Sequence, residues 1–256
     1  MINFRDISEK KKHEEEIILA KEKAEESNKL KSAFLDNISH EIRTPINGIV
    51  GFLSFIKDYE VEQSEKEELI TVVNQSLMRL ISTMDSIIEV SQLQKGQISL
   101  NKQDYNLQFL FDLIQDKYYE KAQKKGLIFE IENNISNNEA IINTDSYKLI
   151  SAISNLVDNA IKFTKHGRIS LFAYKENDDF IFKLEDTGIG IPESKFEKIF
   201  ESFMQADVSN TRSFEGAGLG LTLTKSYIQM LGGKIWLESE LGKGSTFWVS
   251  LPIWTA

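Results

Sequence analysis

The chain has 256 residues, 41% of them hydrophobic and 27% charged, an ordinary globular composition with room for about two domains. A net charge of −9 and a pI near 5.1 exclude the basic face that a nucleic-acid binder needs, and no apolar run approaches the ~20 residues that cross a bilayer. The absence of cysteine excludes disulfides and thiolate metal sites and suits a reducing compartment.

The N-terminus lacks the apolar core of a signal peptide. Asn3-Phe4-Arg5-Asp6-Ile7-Ser8 resembles the last strand of a PAS sensor domain and the turn that leaves it. Glu9 to Lys31 is rich in Lys and Glu, with Ile17, Ala20, Ala24, Ser27 and Leu30 at three- and four-residue steps, a narrow coiled-coil seam. No breaker interrupts the chain after this seam, so one helix is predicted to about Lys57. Within it Leu30, Phe34, Ile38, Ile42 and Ile49 form an apolar stripe. His40 lies off that stripe, roughly 200° around the axis from Ile38. Glu41 is its neighbour, and Thr44 is one turn on, on the same face. Pro45 removes the bond from its own nitrogen to the Glu41 carbonyl, which predicts a kink just after His40.

Asp58 to Ser64 reads as a turn, and Ser64 with Glu67 matches a capping box. A second helix to about Lys95 keeps a helical period through Leu69, Val72, Val73, Leu80, Ile87 and Val90, and Gly96 stops it. Two antiparallel helices cannot bury two apolar stripes alone; two copies forming a four-helix bundle can, which predicts a homodimer.

Beyond Gly96 the composition changes. Ile98–Leu100 reads as a strand, Leu107–Lys125 as an amphipathic helix ended by Gly126, and Leu127–Ile131 as a strand. Asp145 opens a helix through Phe163, with Lys165, His166 and Gly167 as its cationic, left-handed stop. Ile169–Tyr174 and Phe180–Leu184 form a hairpin around Asn177-Asp178-Asp179. Glu193–Phe200 reads as a short helix and Leu219–Leu231 as a longer one. Ile235–Glu238 and Thr246–Leu251 form a closing hairpin around Gly242 and Gly244. Helices and strands segregate, so an α+β sandwich fits better than a parallel βαβ wind.

Four stretches of this half carry chemistry. In Asn155–Thr164, Asn155 and Asn159 share a helical face with Lys162 nearby. Mg²⁺ takes oxygen ligands and keeps several from water and phosphate, so one Asn carbonyl suits it, and Lys162 suits a phosphate. In Asp186-Thr187-Gly188-Ile189-Gly190-Ile191-Pro192, Gly188 and Gly190 let the backbone approach a ligand, and Asp186 suits an exocyclic amine such as that of adenine. Neither a P-loop nor a dinucleotide fingerprint is present. Phe196, Phe200 and Phe203 anchor a segment expected to be mobile. Gly216-Ala217-Gly218-Leu219-Gly220-Leu221 opens a helix, where free amides and the dipole favour phosphate. The polar stretch before it is a candidate lid, with Arg212 placed to reach a terminal phosphate.

These residues resemble the sensor histidine kinases. Ser39–Pro45 looks like the H-box, Asn155–Thr164 the N-box, Asp186–Pro192 the G1 box, Phe196–Phe203 the F-box and Gly216–Leu221 the G2 box. The likeness implies an all-α antiparallel hairpin, a four-helix bundle as dimer, followed by an α+β Bergerat-fold (GHKL) sandwich. It implies residues 1–30 as a signalling helix after a lost PAS-like sensor, 31–96 as the dimerisation and histidine-phosphotransfer domain, and 97–256 as the ATP-binding domain. It further implies ATP and Mg²⁺, with Asn159 as the metal ligand, Asp186 as the adenine partner, and Asn155, Lys162, Phe163, Gly188, Gly190, Arg212, Gly216, Gly218, Leu219 and Gly220 around the nucleotide. Ala217 departs from the many relatives with Thr there.

On this reading His40 attacks the γ-phosphate, and an imidazole is mostly neutral at neutral pH. Glu41 takes the proton from the other ring nitrogen. Lys162 and Arg212 offset phosphoryl charge, and the Gln94–Gln97 junction is the hinge. The phosphoryl group then passes to an aspartate of a response-regulator receiver, and Thr44 holds a water for the reverse, phosphatase task. A cytoplasmic location is expected for this region, and the resemblance allows a membrane-anchored parent. A plain ATPase has no use for the His40 helix, and a non-catalytic receiver-binding scaffold has no use for the nucleotide boxes.

Overall fold

The computed structural model describes residues 4–58, 62–136, 139–200 and 218–253. The chain divides into two compact units, residues 1–80 and 81–256.

Helix α1 runs Phe4–Asp58 and passes through Pro45 as one helix. Residues 4–8 are therefore helical, not the strand that suggested a PAS terminus. No Pro or Gly precedes Pro45 after the start, so the Lys/Glu-rich run propagates helix upstream. Helix α2 runs Gln63–Gln94. It begins earlier than the capping box implied: the Lys66 amide already bonds the Glu62 carbonyl at 3.0 Å, which puts Ser64 inside the first turn. At its other end Gly96 has φ +64. The Gln97 amide reaches the Gln92 carbonyl and the Gly96 amide the Leu93 carbonyl, each at 3.0 Å, the paired bonds of a left-handed helix stop. In the first unit Gly48 faces Ser76 Oγ, with room for no more than contact should it carry a Cβ (3.4 Å). Val50 and Leu53 of α1 and Ile70, Leu77 and Met78 of α2 remain exposed, an apolar surface larger than solvent favours.

The unit division falls inside α2. Its last turns lie in the second unit, with Val90 buried and Glu89 accepting a hydrogen bond from Tyr147 at 2.9 Å.

The second unit layers helices on a mixed sheet. Strand β1 (Gln103–Asn106) pairs antiparallel with β3 (Ile141–Thr144) in a small sheet. Strands β2 (Leu127–Asn133), β4 (Gly167–Glu176), β5 (Asp179–Asp186), β6 (Lys234–Glu240) and β7 (Gly244–Pro252) form a five-stranded sheet ordered β2-β4-β5-β7-β6. Only β2 and β4 pair in parallel. The predicted strand at Ile98–Leu100 is absent, and β1 forms a few residues later, where it meets β3. Helix α3 (Leu107–Lys124) is capped by Asn106, whose side chain accepts from the Gln108 amide at 2.9 Å. Helix α4 (Ser146–Phe163) is capped by Asp145, which accepts from the Lys148 amide at 3.2 Å. Helix α5 covers Gly220–Met230. In place of the predicted helix over Glu193–Phe200 there are two 3₁₀ turns, Glu193–Lys195 and Lys198–Phe200.

The core is where periodicities meet. Leu107, Leu110, Phe111, Ile114 and Tyr118 of α3 and Leu149, Ile153, Leu156 and Val157 of α4 are buried at helical spacing. Ile169, Leu171 and Ala173 of β4, Phe180, Phe182 and Leu184 of β5, and Phe247, Val249 and Leu251 of β7 are buried at alternate positions. This is the sheet face that the helices cover.

Candidate active site

His40 is exposed on α1, whereas Glu41, its neighbour, is buried at 7% exposure. The Arg79 guanidinium of α2 donates to Glu41 Oε2 at 2.9 Å. Nothing in the sequence pointed to Arg79. Thr44 is exposed, and its hydroxyl donates back to the His40 carbonyl at 3.1 Å. That bond uses the hydroxyl proton and leaves an oxygen lone pair facing water.

The second unit assembles the other residues along one edge. Asn155 Nδ2 donates to the Gly220 carbonyl at 3.3 Å, so α4 holds the start of α5. Thr224 Oγ1 donates to the same carbonyl at 2.8 Å. Asn159 is half-buried, and its side chain makes no hydrogen bond to another described residue. Of the paired asparagines, one is spent on structure and the other has no side-chain partner among the described residues. Lys162 lies 4.7 Å from the Phe163 ring centroid.

Asp186 ends β5. Its Oδ1 accepts from the Gly188 amide at 2.8 Å. Burial pushes its carboxyl up to about 6, against hydrogen bonds from the Gly188 and Ser245 amides, which pull it down. The loop after it is wedged between two elements. A Cβ on Gly188 would stand 2.8 Å from the Phe163 carbonyl, and one on Gly190 (φ +69) 2.1 Å from the Glu240 carbonyl. The Ile189 amide bonds the Phe163 carbonyl at 3.4 Å, and the Gly242 amide bonds the Ile189 carbonyl at 2.7 Å. Ser239 Oγ accepts from the Ile191 amide at 2.8 Å and donates to the Gly244 carbonyl at 2.7 Å. The loop is pre-organised by α4 on one side and the β6–β7 turn on the other. Ser239 and Gly244 carry no sequence signal as site residues, because only the tertiary pairing brings them to Asp186.

Gly167 is also reassigned. Helix α4 ends at Phe163 with Thr164 extended, and Gly167 opens β4 with φ +116, where a Cβ would meet Thr187 Oγ1 at 2.1 Å.

Gly218 has φ +70. Leu219 is the N-cap of α5 and supplies no side-chain hydrogen bond, so among the described residues no side chain caps the first amides of that helix, the kind of helix start that suits an anion. Phe200 is buried and packs edge-on against Phe247 at 6.4 Å. Phe203, Arg212, Gly216 and Ala217 lie outside the described residues. An open depression of about 430 Å³ borders Asp186 from the sheet face away from the helices. Its lining mixes the carboxylates Glu185, Glu238 and Glu240 with the cations Arg168 and Lys243, and Lys243 pairs with Glu240 at 2.7 Å.

A helix-on-sheet sandwich with a half-buried carboxylate at a strand end, an asparagine facing no side-chain partner among the described residues and a glycine-led helix defines an ATP-binding unit of the Bergerat class. The family model described as "Histidine kinase-, DNA gyrase B-, and HSP90-like ATPase" matches residues 144–255, and that described as "His Kinase A (phospho-acceptor) domain" matches residues 30–96. The chain belongs to the histidine kinases. It is 39% identical over 241 residues to the autoinducer 2 sensor kinase/phosphatase LuxQ of Vibrio vulnificus, which covers 92% of this chain and 28% of LuxQ. It thus spans little more than a quarter of that relative's length. Full-length ShkA, solved with AMPPNP, superposes with a TM-score of 0.66 at 26% identity, covering 87% of this chain and 46% of ShkA. The histidine kinase ThkA, solved in complex with the response regulator protein TrrA, superposes with a TM-score of 0.58 at 24% identity, covering 99% of this chain and 67% of ThkA. Among the described residues no helix is long and apolar enough to cross a membrane.

Proposed function

We propose that this chain transfers the γ-phosphoryl group of ATP to His40 and then to an aspartate of a response-regulator receiver domain, and that it also dephosphorylates that receiver. The observation that carries this reading is the pairing, in one chain, of an exposed His40 on α1 with a nucleotide site whose Asn159 amide oxygen is uncommitted. Residues 31–96 serve as the dimerisation and phosphotransfer domain and 97–256 as the ATP-binding domain. The exposed apolar residues of α1 and α2 are the surface that a second copy covers. Signal input enters through α1.

In the transfer step a nitrogen of the neutral His40 imidazole forms a bond to the γ-phosphorus, and the bond from phosphorus to the bridging oxygen breaks, releasing ADP. The proton on the other ring nitrogen passes to Glu41, whose charge is compensated by Arg79. Asp186 accepts the adenine amine, and Gly188 and Gly190 let the loop backbone approach the base. The amides at the start of α5 and Lys162 face the phosphates, with Arg212 assigned to the terminal phosphate. Among the described residues no three His, Cys, Asp or Glu side chains gather as a metal cluster. The available donors, one amide oxygen from Asn159 plus ligand phosphates and water, fit Mg²⁺. Bound there, Mg²⁺ would neutralise developing phosphate charge.

The test is labelling with γ-³²P-ATP and Mg²⁺ of the parent and of His40→Gln. Acid-labile label that vanishes in His40→Gln is expected. Phosphate release unaffected by that substitution would overturn the kinase in favour of an ATPase.

A further inference from the structure

Helix α4 presents Asn155, Asn159 and Lys162 along one stripe. The adjoining stripe, one residue back and so about 100° around the axis, carries Ser154, Asp158 and Ile161. Helix α3 grips that second stripe with polar groups. Tyr118 is fully buried, and its phenol donates to Asp158 Oδ2 at 2.6 Å and lies 3.2 Å from the Ser154 carbonyl. Lys121 donates to Asp158 Oδ1 at 2.6 Å. Lys125 donates to the Ile161 carbonyl and, at 3.1 Å, to the Lys162 carbonyl.

These bonds have two consequences. Both oxygens of Asp158 are committed to α3, so the carboxylate beside Asn159 is not offered to a ligand. The last carbonyls of α4 are also all engaged. Ala160 takes the Thr164 amide and Phe163 the Ile189 amide, and Ile161 and Lys162 take Lys125. Such carbonyls would otherwise turn toward water.

Apolar packing between two helices tolerates small rotations. A phenol–carboxylate bond of 2.6 Å has a narrow angular range. Side-chain atoms stand about 6 Å from a helix axis, so turning α4 by about 10° moves an amide oxygen about 1 Å. A displacement of about 1 Å is enough to cost a reacting site a large factor. We infer that Tyr118 and Lys121, acting through Asp158, are positioning residues that set the rotation of α4 and thereby aim Asn159 at the metal of the Mg·nucleotide. This rests on the reading of Asn159 as the metal ligand.

Affinity for ADP, measured by calorimetry in Mg²⁺ and again in EDTA, separates aiming from folding. Tyr118→Phe is expected to reduce the gain in affinity that Mg²⁺ confers about tenfold while leaving metal-free binding within about twofold. Lys121→Met, at a side chain 54% exposed and so harmless to folding, is expected to reduce the gain about threefold, in the range of an exposed ion pair. It supplies the test if Tyr118→Phe does not fold. Asn159→Ala is expected to abolish the gain. If Asn159→Ala keeps it, the ligand assignment falls, and the positioning role with it. If Asn159→Ala loses the gain while Tyr118→Phe and Lys121→Met retain it, only the positioning role is overturned. Equal losses with and without Mg²⁺ in Tyr118→Phe overturn it as well, because that is what general loosening of the domain produces.

Discussion

The Arg79 guanidinium of α2 meets the Glu41 carboxylate of α1 at 2.9 Å, with Glu41 9% and Arg79 33% exposed at the side chain. A buried carboxylate stripped of its cation is left with an unmet desolvation cost. Arg79→Ala should therefore destabilise the helical unit by about 1–3 kcal/mol. Glu41→Gln should slow autophosphorylation about 100-fold, the lower end for a lost general base. A double-mutant cycle in chemical denaturation is expected to show coupling of at least about 0.5 kcal/mol. Strict additivity would mean that the pair does not act as a unit.

Asp186 sets a pH dependence of opposite sign for folding and for binding. Its carboxyl is raised to about 6 by burial, so the folded state holds that proton more tightly than the unfolded chain does. The stabilising contribution is complete below the ordinary carboxylate range and is lost as pH rises through about 6. The ionised carboxylate is the stronger acceptor for the adenine amine, so ADP affinity should rise over the same interval. Both dependences should flatten in Asp186→Asn, read by melting temperature and calorimetry between pH 5 and 7.

Gly244 has φ +116, and a Cβ there would lie 1.9 Å from the Asp186 carbonyl. Neither backbone can retreat without breaking the β5–β7 ladder. Gly244→Ala should cost about 3 kcal/mol or more in stability, and the surviving protein should bind ADP weakly. Gly242, with open space around its Cα, is the control, expected to suffer only the strain of its positive φ.

Ser239 links the Ile191 amide to the Gly244 carbonyl through one hydroxyl. Ser239→Ala strands a donor and an acceptor, which costs about 1–3 kcal/mol. Because the stranded amide belongs to the loop after Asp186, the KM for ATP should rise more than kcat falls. An unchanged KM with a lowered melting temperature would limit Ser239 to the fold.

Thr44→Ala removes a hydroxyl whose proton is already spent on the His40 carbonyl. Autophosphorylation should be retained within about threefold, because a back-bonded hydroxyl adds little to a helix. Receiver dephosphorylation should fall clearly further. Equal loss of both activities would reject its role in holding water.

The elements legible from the chain are those whose reasons are local. Helical spacing around Phe111, Ile114 and Tyr118, alternation through Phe180, Phe182 and Leu184, and caps at Asp145 and Gly96 each act over a few residues, so α2, α3, α4, α5 and the β4–β5 and β6–β7 hairpins could be read directly. The errors have a common origin. Strands β1 and β3 exist because Gln103–Asn106 and Ile141–Thr144 find each other across some forty positions, and four residues carry too little pattern to announce that. Gly167 looked like a helix stop because its neighbours are cationic, whereas what leaves it no room for a Cβ is Thr187, just past the end of β5.

The sequence by itself determined which groups are present and in what order: an off-stripe His40, paired asparagines, a carboxylate before glycines, and glycines opening a helix. That order named the family, since motif residues are fixed by the chemistry they perform. Tertiary structure alone decided which of those groups are free to act. It committed Asn155 to Gly220, left Asn159 open, turned Glu41 onto Arg79, and locked both oxygens of Asp158 to α3. The physical reason is that a hydrogen-bonding group satisfies whatever neighbour the fold supplies, and those neighbours lie 37 to 65 residues away, beyond the reach of any local pattern.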